Sequence, residues 1–278
     1  MTGTDEVVRI CHDLLRIDTT NTGDLDTTVG ERVAAEYVAA QLSEVGIEPQ
    51  VRESAPGRTS VVARIAGTDP SRPALLVHGH LDVVPADPDE WSVHPFSGDE
   101  KDGFLWGRGA IDMKDFDAMM LAVVRQWQRE GKRPPRDIVL AFLADEEAGS
   151  RYGAHHLVDT EPELFEGCTE AIGEVGGFSY DVGGDKRLYL VETAEKGIDW
   201  LRLRAKGRPG HGSMVNEDNA ITALSEAVAR LGRHRFPIAL TPTVRAFLDE
   251  VGEALGIELD PDDPETYPIQ PKEHSMEF

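Results

Sequence analysis

His80 and Asp82 form the first chemical pairing of the chain, in the run His78-Gly79-His80-Leu81-Asp82 that follows the aliphatic stretch Ala74–Val77. In an extended segment, residues two apart project to the same side. An imidazole that meets a metal through one ring nitrogen needs a carboxylate or carbonyl on the other to fix its tautomer. Asp82 is spaced to orient His80 in that way. Asp112 lies in the glycine-flanked run Gly107-Arg108-Gly109-Ala110-Ile111-Asp112-Met113-Lys114, at the head of a helical stretch. Glu146 and Glu147 are adjacent just past a second aliphatic run, and Glu174 follows a strand-like stretch near 169–172. Divalent zinc takes histidine nitrogen and carboxylate oxygen, and a catalytic zinc keeps a position open for water. Two cations a few ångströms apart need a bridging carboxylate, for which Asp112 is the candidate. Two neighbouring acids allow one to bind metal while the other takes a proton from water whose pKa the metal has lowered. Alone, a Glu-Glu pair is usually a surface feature and a His-x-Asp usually a turn. Their joint placement at consecutive strand ends of one sheet carries the reading.

Those ends belong to a recognisable series of elements. Val7, Ile10, Leu14 and Ile17 predict a first helix, with Cys11 on its apolar stripe. Val33, Tyr37, Ala40 and Leu42 predict a second, stopped at Gly46. Strands are expected at 47–52, 60–65 and 74–77. A helix after Asp112 should turn Met119, Met120, Val123, Val124 and Trp127 inward. The continuously apolar run 138–143 reads as a strand buried on both faces, followed by a short helix at 152–158 and a strand near 169–172. Strands alternating with helices predict an α/β fold with a mostly parallel sheet sandwiched by helices. In such sheets the site lies beyond the carboxyl ends of the strands, where His80, Asp82, Glu146, Glu147 and Glu174 all fall. From about Lys196 the pattern changes to a strand at Ile198, Trp200, Leu201 and Leu203, the run KGRPGHGSM, helices at 219–231 and 244–255, and an acidic, proline-rich tail.

Composition narrows the function. The chain has 278 residues, 40% hydrophobic and 28% charged, with 28 Lys and Arg against 51 Asp and Glu, a formal charge of −23. Such a field repels nucleic acid and anionic membrane and favours cations. Cys11 and Cys168 make neither a metal-type pair nor a disulfide framework. No stretch approaches the ~20 apolar residues of a membrane span. The expectation is a cytoplasmic protein with a small-molecule substrate.

The motifs together resemble the zinc-dependent M20 family of metallopeptidases and deacylases, which includes glutamate carboxypeptidase, aminoacylase and succinyl-diaminopimelate desuccinylase. The matching stretches are GHLDVVP (79–85), GRGAIDMK (107–114), DEEAGS (145–150), AIGEVGG (171–177) and GRPGHGSM (207–214). The resemblance implies that His80 ligates one zinc and Asp82 orients it. It implies that Asp112 bridges two metals and precedes a cis peptide bond, and that Glu146 is the general base. Glu147 is then a ligand, and Glu174 joins His80 on its metal. It also places His211 on a lid and dimerisation domain, where it stabilises the oxyanion, commonly across a homodimer. The implied reaction is attack of a metal-activated water on the amide of a peptide or N-acyl amino acid.

The same resemblance implies two domains, a catalytic one over 1–195 and the first part of a lid over 196–278. Members of the family are longer. Their lid carries an arginine for the substrate carboxylate, and their chain returns to supply a last histidine ligand. His274 has no motif around it and is not assigned that role. The expectation is one tight and one weak zinc, with Co2+ as a possible substitute. Two readings stay open: an M20-type hydrolase, or a truncated product that binds metal without turnover.

Overall fold

The computed structural model describes residues 3–174, 179–183, 185–193, 197, 201–237 and 239–257. By contacts the chain divides into two compact units, Met1–Glu174 and Val175–Phe278.

In the first unit, helices α1 (Gly3–Leu15) and α2 (Arg32–Glu44) precede strands β1 (Gln50–Ala55), β2 (Arg58–Ile65) and β3 (Ala74–His80). A long loop carries the two-residue strands β4 (Glu100–Lys101) and β5 (Phe104–Leu105). Helix α3 (Lys114–Arg129), strand β6 (Ile138–Leu143), helix α4 (Ala154–Thr160) and strand β7 (Cys168–Ile172) follow. The main sheet runs in the order β1-β2-β6-β3-β7. It is an α/β sheet of mixed sense. β3 pairs in parallel with β6 and β7, whereas β1, β2 and β6 pair antiparallel. The hairpin at Pro56-Gly57, with Gly57 at φ 79°, is too short for a crossover and forces β1 and β2 antiparallel.

The two-residue period of β2 and β6 divides the core. Val61, Ala63, Ile65, Ile138, Leu140 and Phe142 pack under α1, α2 and α3. Val62, Val139 and Ala141 face the other way, against Leu157 of α4 and Leu164. The continuous apolar run of β6 is therefore buried on both sides, as its sequence predicts.

The apolar stripes of two helices are rotated from expectation. On α2 the buried residues are Ala34, Ala35, Val38 and Leu42, while Val33 is 60% exposed. Two alanines let the helix lie close on β2, and the bulkier Val33 is turned out. On α3, Met120, Leu121 and Val124 are buried, whereas Met119 and Val123 are 45% and 46% exposed. The buried face of α3 also carries Lys114, Asp117 and Arg125, which an apolar-periodicity rule does not place inside. Lys114 is held there by the carbonyls at the end of α1, donating to Leu14 O at 3.1 Å and Ile17 O at 2.7 Å. Cys11 is buried as expected, which pushes its thiol pKa up to about 12.

The second unit begins with a hairpin the sequence reading did not anticipate, β8 (Ser179–Gly183) paired with β9 (Lys186–Tyr189). It continues through helices α5 (Ala220–Arg233) and α6 (Pro242–Leu255). The Asn219 side chain caps α5 by accepting from Ile221 N and Thr222 N, and Thr241 caps α6 through Val244 N. Of the strand expected at 198–203, Ile198 and Trp200 lie outside the described residues. Leu201 and Leu203 lie in irregular chain and are exposed. The tail with His274 also lies outside. Among the described residues, no helix is long and apolar enough to cross a membrane.

The rotated stripe of α3 can be checked directly. Met120→Ala is expected to destabilise the protein by about 2–5 kcal/mol and Met119→Ala by less than about 0.5 kcal/mol. Urea denaturation midpoints of the two variants decide it, and equal losses would return Met119 to the core.

Candidate metal centre

Each acid and the histidine is delivered by the end of an element. His80 is the last residue of β3, and Leu81 N continues the sheet by donating to Leu143 O at 2.8 Å. The segment Thr19–Asn21 is zipped alongside 81–83. Thr19 Oγ1 donates to Leu81 O at 2.7 Å, and Asn21 N donates to Val83 O at 2.8 Å. Asp112 precedes a cis peptide bond to Met113 and stands at the start of α3. The turn leading to it needs Gly109 at φ 86°, where a Cβ would also fall 2.8 Å from Val83 Cγ1. Glu146 and Glu147 lie on a single 3₁₀ turn, Glu146–Ala148, just beyond β6. Glu174 lies two residues beyond β7.

The side chains converge on one imidazole. His80 Nε2 is 3.0 Å from Asp112 Oδ1, 3.8 Å from Glu146 Oε2 and 3.9 Å from Glu174 Oε2. Two sets of donor atoms each lie within 4.8 Å of one another: His80, Glu146 and Glu174, and His80, Asp112 and Glu147. The imidazole is buried at 2% exposure, while the Asp112 and Glu146 side chains are about half-exposed at 58% and 46%. The acids thus form the open rim and the histidine the floor.

Asp82 is fully buried, and its two ends act differently. Its main-chain carbonyl is 2.9 Å from His80 Nδ1, nearer than its own carboxylate at 3.6 Å. The carboxylate accepts instead from Glu146 N at 3.0 Å, Glu147 N at 3.1 Å and Asn21 Nδ2 at 2.7 Å. One residue thus ties the end of β3 to the glutamate turn beyond β6. Asn21 was not singled out from the sequence. The signal was present in the short polar run Asp18-Thr19-Thr20-Asn21-Thr22, whose side chains suit hydrogen bonding rather than helix.

The electrostatics suit a cation. Burial would lower the His80 pKa, but the hydrogen bond to Asp112 and the surrounding acids outweigh it and raise it to about 10. His80 in turn holds the Asp112 carboxyl below its ordinary value. Burial, and then the Asp112 charge, push Glu147 and Glu174 each up to about 7. The neighbouring Asp112 carboxyl is the main charge acting on Glu174, so the two acids oppose each other's ionisation. The raised values mark a concentration of negative charge that a divalent ion would neutralise. One imidazole nitrogen and several carboxylate oxygens form a donor set that fits zinc-type cations.

The remaining histidines are placed elsewhere. His78 lines a groove beneath α4 with Leu76, Leu143 and Phe165. His94 Nδ1 accepts from Phe96 N at 3.1 Å, and His155 and His156 lie on α4. His211 is in the second unit, exposed, with Nδ1 2.8 Å from Ser213 Oγ.

Comparison with known proteins places the chain by family. Peptidase family M20/M25/M40 matches over residues 76–266. Pig (Sus scrofa) aminoacylase-1 is 34% identical over 198 residues, 70% of this chain and 47% of that protein. The N-fatty-acyl-amino acid synthase/hydrolase PM20D1 of Xenopus tropicalis is 30% identical over 241 residues, 84% of this chain and 46% of its own. The crystal structure of human carnosine dipeptidase 1 superposes with a TM-score of 0.50 at 26% identity, over 61% of this chain and 38% of that one. The chain spans about half the length of these curated relatives.

A carboxyl whose pKa is raised on folding takes up protons between its ordinary value and the raised one, so stability falls as pH rises through that window. For Glu147 and Glu174 the window runs from 4.5 to about 7. The cation-free protein is expected to lose thermal stability across it, and added Zn2+ or Co2+ to reverse the loss. Melting curves at stepped pH, with and without cation, test this. A cation-free Tm that holds or rises over that range contradicts it.

Proposed function

The chain belongs to the M20/M25/M40 peptidase family, and from that premise we propose that it is a metal-dependent hydrolase cleaving the amide bond of a peptide or N-acyl amino acid. The observation that carries this reading is the convergence of Asp112, Glu146 and Glu174 within 3.9 Å of a single buried imidazole nitrogen. In the proposal His80, Asp112 and Glu174 would hold one cation, and Asp112 with Glu147 would hold a second. Zinc is the proposed ion, with cobalt as its substitute. Bound there, it supplies Lewis acidity toward the amide carbonyl and lowers the pKa of water.

The protein's own groups do the rest. Asp82 and the main chain around it hold His80 Nδ1 as the donor, leaving Nε2 free to face the acids. Glu146 takes the proton of the attacking water at its carboxylate and delivers it to the departing amine nitrogen. Its partial exposure gives a substrate access to that oxygen. In this reading residues 1–195 form the catalytic domain and residues 196–278 the first part of a lid. His211 would then stabilise the oxyanion from the lid across a homodimer. The amphipathic α5, with Ile221, Val228 and Leu231 exposed, supports such an association. A cytoplasmic setting is part of the same reading.

A second reading, cation binding without turnover, also has an observation behind it. Among the described residues, His80 is the imidazole of both donor sets, so once His80 and Glu174 hold one cation a second is left with carboxylates alone. Elemental analysis after dialysis, alongside hydrolysis of N-acyl amino acids and dipeptides with added Zn2+ or Co2+, separates the two. Glu146→Gln is expected to retain cation and lose about 10²–10⁴-fold in turnover. Wild-type protein that binds cation and turns over nothing would favour the second reading, and wild-type protein that retains none would overturn both.

A further inference from the structure

The turn that carries Glu146 and Glu147 has little regular structure to hold it. It is one 3₁₀ turn, entered through Asp145 at φ 65° and left through Gly149 at φ 99° and Ser150 at φ 58°. A left-handed conformation at a residue with a Cβ persists where surrounding contacts impose it. Asp145 stands at the N-cap position of this turn, yet its side chain makes no cap bond. The Asp82 carboxylate takes that role, accepting from the Glu146 and Glu147 amides. The Asp145 carboxylate points the other way, into the protein, where it is 3% exposed.

There it meets Arg58, the first residue of β2. Arg58 NH2 donates to Asp145 Oδ1 at 2.5 Å, and Arg58 NH1 lies 3.0 Å from Glu31 Oε1. The second contact is an ion pair by distance but not an aligned hydrogen bond, and Arg58 Nε and Glu31 Oε2 are buried without a partner. Asn21 Nδ2 joins the two halves, donating to Asp82 Oδ2 at 2.7 Å and Asp145 Oδ1 at 3.2 Å. Tyr152 N donates to Asp145 Oδ2 at 2.9 Å, and Ala144 N donates to Ser60 Oγ at 3.0 Å. The far end of the loop closes at Gly153, where a Cβ would lie 1.7 Å from Ala144 O.

Arg58, Glu31, Asp82 and Asp145 are each at most 3% exposed. A guanidinium presents separate nitrogens to two carboxylates at once, which an ammonium cannot do in the same geometry. With Arg58 removed, Glu31 and Asp145 would be left as buried, uncompensated acids beside Asp82, and the left-handed turn would lose the contact that imposes it. We infer that Arg58 is a positioning residue of the metal centre, acting through Asp145 to set the main chain that aims Glu146 and Glu147. The functional part of this inference rests on the hydrolase reading above; the positioning part does not.

Two variants test it. Arg58→Lys keeps a positive charge and an apolar stem but cannot span Glu31 and Asp145. Asp145→Asn keeps the size of the side chain, leaves Arg58 with Glu31, and serves where Arg58→Lys does not fold. The first measurement is amide hydrogen exchange by NMR on the cation-free protein. Protection at Glu146 and Glu147 is expected to fall by about ten-fold or more, while amides of β2 and β6 such as Val61 and Leu140 keep theirs. The second is Co2+ titration followed by visible absorption. In the variants the ion held by Glu147 is expected to weaken by about ten-fold, and the ion held by His80 and Glu174 to keep its affinity and spectrum. Unchanged protection at Glu146 and Glu147 in a folded variant would overturn the inference. So would an equal loss over β2 and β6, which would make Arg58 a general stabiliser. Wild-type protein that binds no Co2+ would remove the function proposed above, and the exchange comparison would still decide the role of Arg58.

Discussion

The Asp82 carboxylate is the tie on which the centre depends. It lies two residues past the end of β3 and accepts from the main-chain amides of Glu146 and Glu147, beyond the end of β6. Charge-assisted bonds of this kind, fully buried, are worth more than neutral ones and are costly to break. Because the carbonyl of the same residue fixes His80 Nδ1, one position sets both the imidazole and the glutamate turn. Asp112 is brought in separately by the turn before α3, whose first residue, Lys114, is tied to the end of α1.

The sheet explains why these ends meet. β6, β3 and β7 run parallel and in neighbouring register, so their carboxyl ends open on one side of the unit, where ligands bind in sheets of this type. The antiparallel pair β1 and β2 extends the sheet on the other flank. β2 also contributes Arg58 and Ser60 to the rear of the glutamate turn. The scaffold thus has two tasks: the parallel half presents side chains, and the antiparallel half braces the loop from behind.

Gathering this many acids at one place opposes folding unless their charge is offset. Here the offset comes from His80 and, behind the site, from Arg58, while burial and the neighbouring acids push Glu147 and Glu174 up to about 7. In the function proposed above, a divalent cation would supply a stronger and better-directed countercharge. The net charge of −23 favours cation uptake at long range, but it is these placed carboxylates that make a site.

His80, Asp112, Glu146, Glu147 and Glu174 could be picked out as candidates from the chain alone, because each sits within a few residues of a strand-like or glycine-marked run whose local structure its own composition dictates. The α/β class followed from the same alternation. What the sequence could not supply were relations between segments far apart along it. Met119 and Met120 are equally apolar, and the packing of α1 and the sheet around α3 decided which is buried. Asn21, Glu31 and Arg58 look like ordinary surface polar residues until a parallel zipper to 81–83 and the position of β2 bring them against Asp82 and Asp145. The strands at 179–183 and 186–189 carried a signal that was passed over, Ser179-Tyr180-Asp181-Val182 alternating ahead of a glycine-rich run, but they are short and mostly exposed. Local spacing determined which side chains face the centre. Tertiary contact decided what holds them there, because a buried charge takes its partner from whichever segment the fold places beside it.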